Sequence, residues 1–521
     1  MIGEPCAETA ITSVRSASVC EKTAERWVLA ATILGSSLAF IDSTVVNVAL
    51  AALQRDLHAA VADVQWVIEA YSLFLAAFLL VGGSLGDRYG RRRLFIIGVS
   101  LFAAASTWCG CTSGLDQLIV ARAAQGFGAA LLVPGSLAII SSSFGEGDRG
   151  RAIGTWSGFS AITAAIGPVL GGWLIEHFSW RAVFFINVPL ALIVVAISCW
   201  RVPESSTNEK GRLDWWGTIL VVAGLGAVIA GLIESSRLAL GATLMQIVVG
   251  ICLIISFVVV EGRIRHPLVP LHLFRDRSFT GANLGTLLLY AALGGTFFFL
   301  PLNLIQVQGY SATSAGAALV PLIGIIFLLS RWSGGLVQKY GAKLPLIIGP
   351  LIAALGYVAF ALPGVGGSYW KTFLPAVLLL GMGMAISVAP VTTAVMNSVP
   401  QGRAGIASGI NNAIARVAGL LAIAVLGIVM LQTYNHALQT QPLPTYVRQT
   451  VDQQRSKLAA IDFPTDMSLE TRTLLRNAID RSFVAGFRVV MVASASLAAA
   501  SAIVAFCLIA PKRSNARSAM S

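Results

Sequence analysis

Long apolar runs separated by short polar gaps fill most of the 521-residue chain. A helix needs about 20 apolar residues to cross the hydrocarbon core of a bilayer, so these runs predict membrane spans. They fall near 27–49, 64–85, 94–113, 116–140, 151–175 and 181–200, then 215–233 and 242–260, then 281–302, 314–336, 344–362, 371–396, 404–431 and 484–510. The pattern predicts an all-α polytopic membrane protein with fourteen transmembrane helices grouped six, two and six. Its segments are a tail 1–26, a six-helix bundle 27–200, two inserted spans in 201–260 and a linker 261–280. A second six-helix bundle 281–510, which includes an outer loop 432–483, and a tail 511–521 follow. That outer loop is polar and has a helix-start pattern at Ser468 and Thr471, which reads as a partly helical lid.

Apolar residues make up 56% of the chain and charged ones 12%, about half the ~25% of a soluble domain, which excludes a large soluble catalytic unit. The net charge of +12 does not imply a nucleic-acid partner, because the basic residues sit in the gaps between apolar runs. Short loops on one side hold only Arg55, Arg181, Arg237 and Lys371, while the tails and the loops on the other side carry most of the remaining Lys and Arg. The positive-inside rule then assigns both termini to the cytoplasm of a multi-pass protein in the cell (inner or plasma) membrane. Residues 1–27 contain Glu4, Glu8, Glu21 and Glu25 and read as no cleaved signal peptide, so the first span is expected to direct insertion. The spacing of the seven cysteines suggests neither a disulfide framework nor a metal site.

The two six-span blocks look like copies of one another. Gly83-Ser-Leu-Gly-Asp-Arg-Tyr-Gly-Arg-Arg92 aligns without gaps on Gly334-Gly-Leu-Val-Gln-Lys-Tyr-Gly-Ala-Lys343, each read as the loop after the second span of its block. Gly126-Phe-Gly-Ala-Ala130 likewise matches Gly381-Met-Gly-Met-Ala385 in the fourth span of each.

Ionisable groups inside spans cost roughly 2.5–3.5 kcal/mol on insertion scales and mark function by default. Counted from the outer side, Asp42 in the first span and Arg122 in the fourth both lie roughly 9–10 Å deep, which suggests a pair suited to proton coupling. Glu69 in the second span either faces the same cavity or snorkels to the interface, and both readings stand. Asp87, Arg88, Arg91 and Arg92 crowd around Gly83, Gly86 and Gly90 and read as a conformational latch. Gly167, Pro168, Gly171 and Gly172 in the fifth span suggest a hinge or an unusually close helix contact.

These residues resemble the major facilitator superfamily, and within it the fourteen-span drug:proton antiporters, over nearly the whole chain. The family's loop motif is matched by Gly83, Leu85, Asp87, Arg88, Gly90, Arg91 and Arg92, and its fourth-span motif by Leu118, Arg122, Gln125, Gly126, Gly128, Ala129 and Ala130. Asp42-Ser-Thr-Val-Val-Asn47 matches the first-span motif, and Gly167, Pro168, Gly171 and Gly172 match the antiporter motif, with Thr163 in place of its leading glycine. Asn411, Asn412, Arg416, Gly486 and Arg488 also look family-typical. The resemblance implies the major facilitator fold of two six-helix bundles plus two extra spans. It also implies a cavity near the midplane and proton-coupled efflux of small drug-like molecules by alternating access, and if Glu69 faces that cavity beside Asp42, two carboxylates against one arginine favour lipophilic or cationic ones.

Candidate cavity residues are Glu69, Gln125, Asn47, Phe298, Gln306, Asn411 and Arg416. In the second block Gln338 replaces the loop aspartate and Val377 occupies the position of Arg122, so proton handling is expected in the first block. The expected partners are the small-molecule substrate, protons and the lipid bilayer. The protein reads as a monomer driven by the proton gradient with no cofactor, and a periplasmic adaptor is left open. A symporter, or an exporter of one metabolite, with the same fold is the first rival. A membrane-embedded enzyme is a remote one, since no His-Glu-xx-His pair occurs and the chain reads as no enzyme.

Overall fold

The computed structural model describes residues 14–144, 146–205, 214–236, 238–264, 267–399, 404–441, 454–461 and 468–510. The expected tail 511–521, part of the tail 1–26 and, within the loop 432–483, residues 442–453 and 462–467 therefore lie outside the described residues. The long helices of the first block are α1 (Val14–Asp56), α2 (Val61–Tyr89), α3 (Arg91–Cys111), α4 (Leu115–Ser143), α5 (Glu146–His177) and α6 (Asn187–Arg201). The inserted pair is α7 (Trp215–Ile233) and α8 (Leu240–Glu261). The second block holds α9 (Arg277–Leu302), α10 (Val320–Tyr340), α11 (Lys343–Ala361), α12 (Leu374–Asn397), α13 (Ala404–Gln439) and α14 (Leu469–Leu508).

Among the described residues thirteen helices are long and apolar enough to cross a membrane, and every long helix except α5 contributes one. The predicted span 151–175 falls on α5, where many side chains lie outside the described set. The protein is nearly all-helical because a backbone in hydrocarbon must satisfy its N–H and C=O groups within its own segment.

The repeat seen in the sequence is repeated in the packing. In the first block α4 packs on α2 and α3, α1 on α5 and α6, and α3 on α6. In the second, α12 packs on α10 and α11, α9 on α13 and α14, and α11 on α14. The aligned glycines show why. A Cβ on Gly126 would stand 2.2 Å from the Tyr71 carbonyl oxygen of α2, and one on Gly381 3.1 Å from the Leu322 backbone of α10. One on Gly128 would meet the Phe102 amide of α3 at 2.7 Å, and one on Gly383 the Ala353 amide of α11 at 2.4 Å. Backbones approach this closely only where a side chain is missing. The α7–α8 pair packs on itself and touches α2 and α13, and α8 presents Leu244, Met245, Val248, Ile251, Ile255 and Val259 outward.

The segment Gly83–Arg92 corrects the expectation of a loop. Gly83 to Tyr89 are the last turns of α2, and only Gly90 separates them from α3. Gly90 has φ +105°, and its repeat counterpart Gly341 has φ +76°, so the chain reverses at one glycine in each block. α9 carries Pro301 in its last turn and passes into a π-helical turn, Asn303–Val307. This follows from the proline, which lacks the N–H that would continue the ladder. At Ser468 the side chain accepts the Thr471 amide and starts α14.

A Gly90→Ala substitution tests the single-residue turn. The positive φ costs an L-residue about 1–2 kcal/mol, and the new Cβ would stand 2.8 Å from Glu204 Oε1. The melting midpoint of the purified protein in detergent is expected to fall by about 2–4 °C, measured by the temperature dependence of its monodisperse size-exclusion peak.

Candidate functional site

Asp42 on α1 and Arg122 on α4 meet inside the first bundle, with side chains 0% and 1% exposed. Arg122 Nη1 donates to Asp42 Oδ2 at 2.6 Å and to Gln125 Oε1 at 2.7 Å, and its Nε donates to the Val67 carbonyl of α2 at 3.0 Å. Gln125 Nε2 donates in turn to Asp42 Oδ1 at 2.8 Å. Asn187 of α6 donates to the same oxygen at 3.5 Å and to Ser106 of α3 at 3.0 Å. The guanidinium lies 4.2 Å from the centre of the Tyr71 ring, a cation–π contact. The network thus ties together α1, α2, α3, α4 and α6. Neither charge is left uncompensated, the condition for holding an ion pair away from water.

Glu69 stands in contrast. Its side chain is fully buried, and neither carboxyl oxygen has a hydrogen-bond partner among the described residues. It is therefore inside the protein, which removes the interfacial reading.

The glycine-proline element of α5 forms a close contact on two faces at once. Cβ atoms on Gly167 and Gly171 would stand 2.1 Å from Thr44 Oγ1 and from Val45 Cγ2 of α1. One on Gly172 would meet the Ala312 carbonyl and the Thr313 amide at 2.5 Å, in the short helix Ala312–Ala317 before α10. One on Gly316 of that helix would stand 2.1 Å from the Pro168 carbonyl. Gly167 and Gly171, then Pro168 and Gly172, are each four residues apart and so share a face. α5 is a wedge between α1 and the second bundle.

Polar contacts join the bundles around the same end. Glu176 accepts the Thr313 amide at 2.8 Å and its hydroxyl at 2.7 Å. Gln306 Nε2 donates to Gln54 Oε1 at 2.8 Å, and Gln65 Nε2 donates to the Ile423 carbonyl at 3.2 Å. A cavity of about 530 Å³ lies here, lined among others by Arg55, Glu176, Gln306, Tyr310 and Arg476.

At the opposite end the Asp87 side chain lies outside the described set, as does that of Gln338. The acid that the structure shows at the Gly90 turn is Glu204, just past α6. It accepts the amides of Arg92 at 3.0 Å and Arg93 at 3.2 Å, at the positive end of the α3 dipole. The Arg91 amide donates to the Ser205 carbonyl at 2.9 Å, and Arg92 donates to the Val202 carbonyl at 3.1 Å. Sequence reasoning missed Glu204, because it is remote in the chain from the turn it caps.

The candidate cavity residues do not converge on one wall. Gln125 belongs to the ion-pair network, whereas Asn47 bonds back to the Ser43 carbonyl of its own helix. Phe298 is fully buried in the apolar core, stacked edge-on against Phe299, and so does not line a cavity. Gln306 lies at the end where the bundles meet. Asn411 bonds Asn283 and Thr286 of α9 and serves packing within the second bundle. Arg416 on α13 is half-buried, within electrostatic range of Tyr71 and Tyr290. Val377, the counterpart of Arg122, is buried among apolar neighbours.

Two helical bundles built on one repeat, closed against each other at one end, define a multi-pass membrane transporter fold. Residues 32–423 match the model of the Major Facilitator Superfamily, and the chain belongs to that superfamily. The multidrug resistance protein Stp of Mycobacterium tuberculosis (strain CDC 1551) is 35% identical over 77% of this chain and 75% of its own. The tetracenomycin C resistance and export protein of Streptomyces glaucescens is 33% identical over 77% of this chain and 75% of its own. Among solved structures, a bacterial homolog of the human lysosomal transporter Spinster, inward-facing and unoccupied, superposes with a TM-score of 0.65. It covers 93% of this chain and 98% of its own at 18% identity, a likeness of fold.

Two predictions follow from this geometry. Arg122→Ala leaves Asp42 buried without its cation and is expected to destabilise the protein by about 3–5 kcal/mol. Arg122→Lys keeps the charge but loses the planar fork and should fall between it and the parent in thermal midpoint. Cysteines replacing Glu176 and Thr313 should crosslink under mild oxidation and block transport until reduced, assayed by substrate flux in proteoliposomes.

Proposed function

We propose that the protein exports lipophilic or cationic drug-like molecules in exchange for inward protons, by alternating access. The observation that carries this reading is the continuous packing path from Asp42 to the second bundle. A Cβ on Gly167 of α5 would stand 2.1 Å from Thr44 Oγ1 and 3.2 Å from the Ile41 carbonyl oxygen, residues close to Asp42 on α1, while one on Gly172 would meet the second bundle at Ala312 and Thr313. A change at the Asp42–Arg122 pair that moves α1 therefore displaces α5 and, through it, the closed end between the bundles.

The relatives named for drug resistance and export support a drug-like cargo. The excess of Lys and Arg on one set of loops supports cytoplasmic termini and a closed end that faces outward. No cofactor takes part; the proton gradient supplies the drive.

Asp42→Asn keeps the shape of the side chain and its bond to Gln125 but removes the charge that holds Arg122. It is expected to insert and fold with a lowered thermal midpoint, because Arg122 loses its counter-charge, and to lose pH-gradient-driven export by at least tenfold in proteoliposomes. Undiminished export by this variant would remove Asp42 from the coupling step.

A further inference from the structure

The first bundle buries two carboxyl groups and treats them in opposite ways. Asp42 faces Arg122, Gln125 and Asn187 as donors. Glu69 is equally buried and receives no donor on either oxygen. An ionised carboxylate without donors or a cation is far costlier in an apolar interior than a neutral one, so such a group takes up a proton.

No charged or titratable group of the described helices packed on α2 bonds Glu69. Arg122 of α4 is committed to Asp42, Gln125 and Val67. Cys109 of α3 donates to Gln125, Glu234 beyond α7 accepts the Trp66 indole N–H, and Arg416 of α13 stands by Tyr71 and Tyr290. None of them bonds Glu69.

Glu69 also sits where it can change surroundings. Gln65, one turn before it, reaches the Ile423 carbonyl of α13, and Leu73, one turn after it, clusters with Leu420 and Ala424 of α13. Residues four apart share a helix face, so Glu69 lies at the seam between α2 and α13, which joins the first bundle to the second.

We propose that Glu69 carries the transported proton in this conformation and surrenders it to a cationic substrate that takes its place, while Asp42 stays paired with Arg122. This assignment rests on the antiport reading above and deepens it. At the cytoplasmic side the O–H bond of Glu69 breaks, its proton passes to solvent and the carboxylate pairs with the cation. At the outer side a proton from solvent re-forms the O–H bond and the cation leaves. One proton is thus exchanged for one monovalent cation, with no net charge moved.

The test uses the full-length protein in lipid nanodiscs, weakly buffered with a pH-sensitive dye, and tetraphenylphosphonium as the probe. The parent should release a proton on binding the probe. Glu69→Gln should elute as a folded monodisperse species, bind the probe at least tenfold more weakly and release no proton at saturation. Glu69→Asp should restore release, and Asp42→Asn should retain it despite failing to export. Release by Glu69→Gln equal to the parent's, or its loss in Asp42→Asn with binding intact, overturns the assignment. A parent that releases no proton, and whose export in proteoliposomes ignores an imposed pH gradient, overturns the antiport reading itself.

Discussion

The structure depends first on a buried guanidinium that must find its partners without water. Arg122 spends its donors on Asp42, Gln125 and the Val67 carbonyl. Each of those groups is fixed in turn by its own helix or by Asn187 and Ser106. Leaving any of these groups unpaired in a low-dielectric interior is costly, so five helices are held in one mutual register. A bundle held this way moves as a body, and motion is directed to its borders with the second bundle.

The internal repeat relates two of those borders. α5 meets α10 and the short helix before it, and α2 meets α13; exchanging the two blocks maps one contact onto the other. The chemistry of the two differs. The α5 seam is close backbone contact, with Gly172 and Gly316 admitting the opposite chain. The α2 seam carries side chains, with Gln65 bonded across it and Glu69 buried in it. One seam is thus suited to transmit position and the other to hold charge. Among the described residues the second block, with Val377 in the place of Arg122, shows no counterpart of the ion pair.

At the Gly90 end, the first block is tied by a device that combines strain relief with electrostatics. Gly90 permits a reversal in one residue, and the Glu204 carboxylate fills the space its missing side chain leaves. From there it reaches the unsatisfied amides at the start of α3. The chain leaving α6 is anchored here before it enters the inserted pair.

Hydropathy along the chain was enough to place thirteen of the expected spans, because apolar length is a one-dimensional property that the bilayer reads directly. The repeat was legible for a similar reason: Gly126 and Gly128, like Gly381 and Gly383, are required by backbone contacts that recur in both blocks. Depth brought Asp42 and Arg122 to the same level, and buried opposite charges at one level have every reason to meet. What depth leaves open is direction around the helix axis. Glu69 near a predicted boundary proved fully buried, Phe298 turned into the core, and Asn411 turned toward α9. The partnership of Glu204 with the Gly90 turn joins positions more than a hundred residues apart. Azimuth and distant partners are set only when all the helices pack together, because each side chain's surroundings are then made of other segments rather than of its own sequence neighbours.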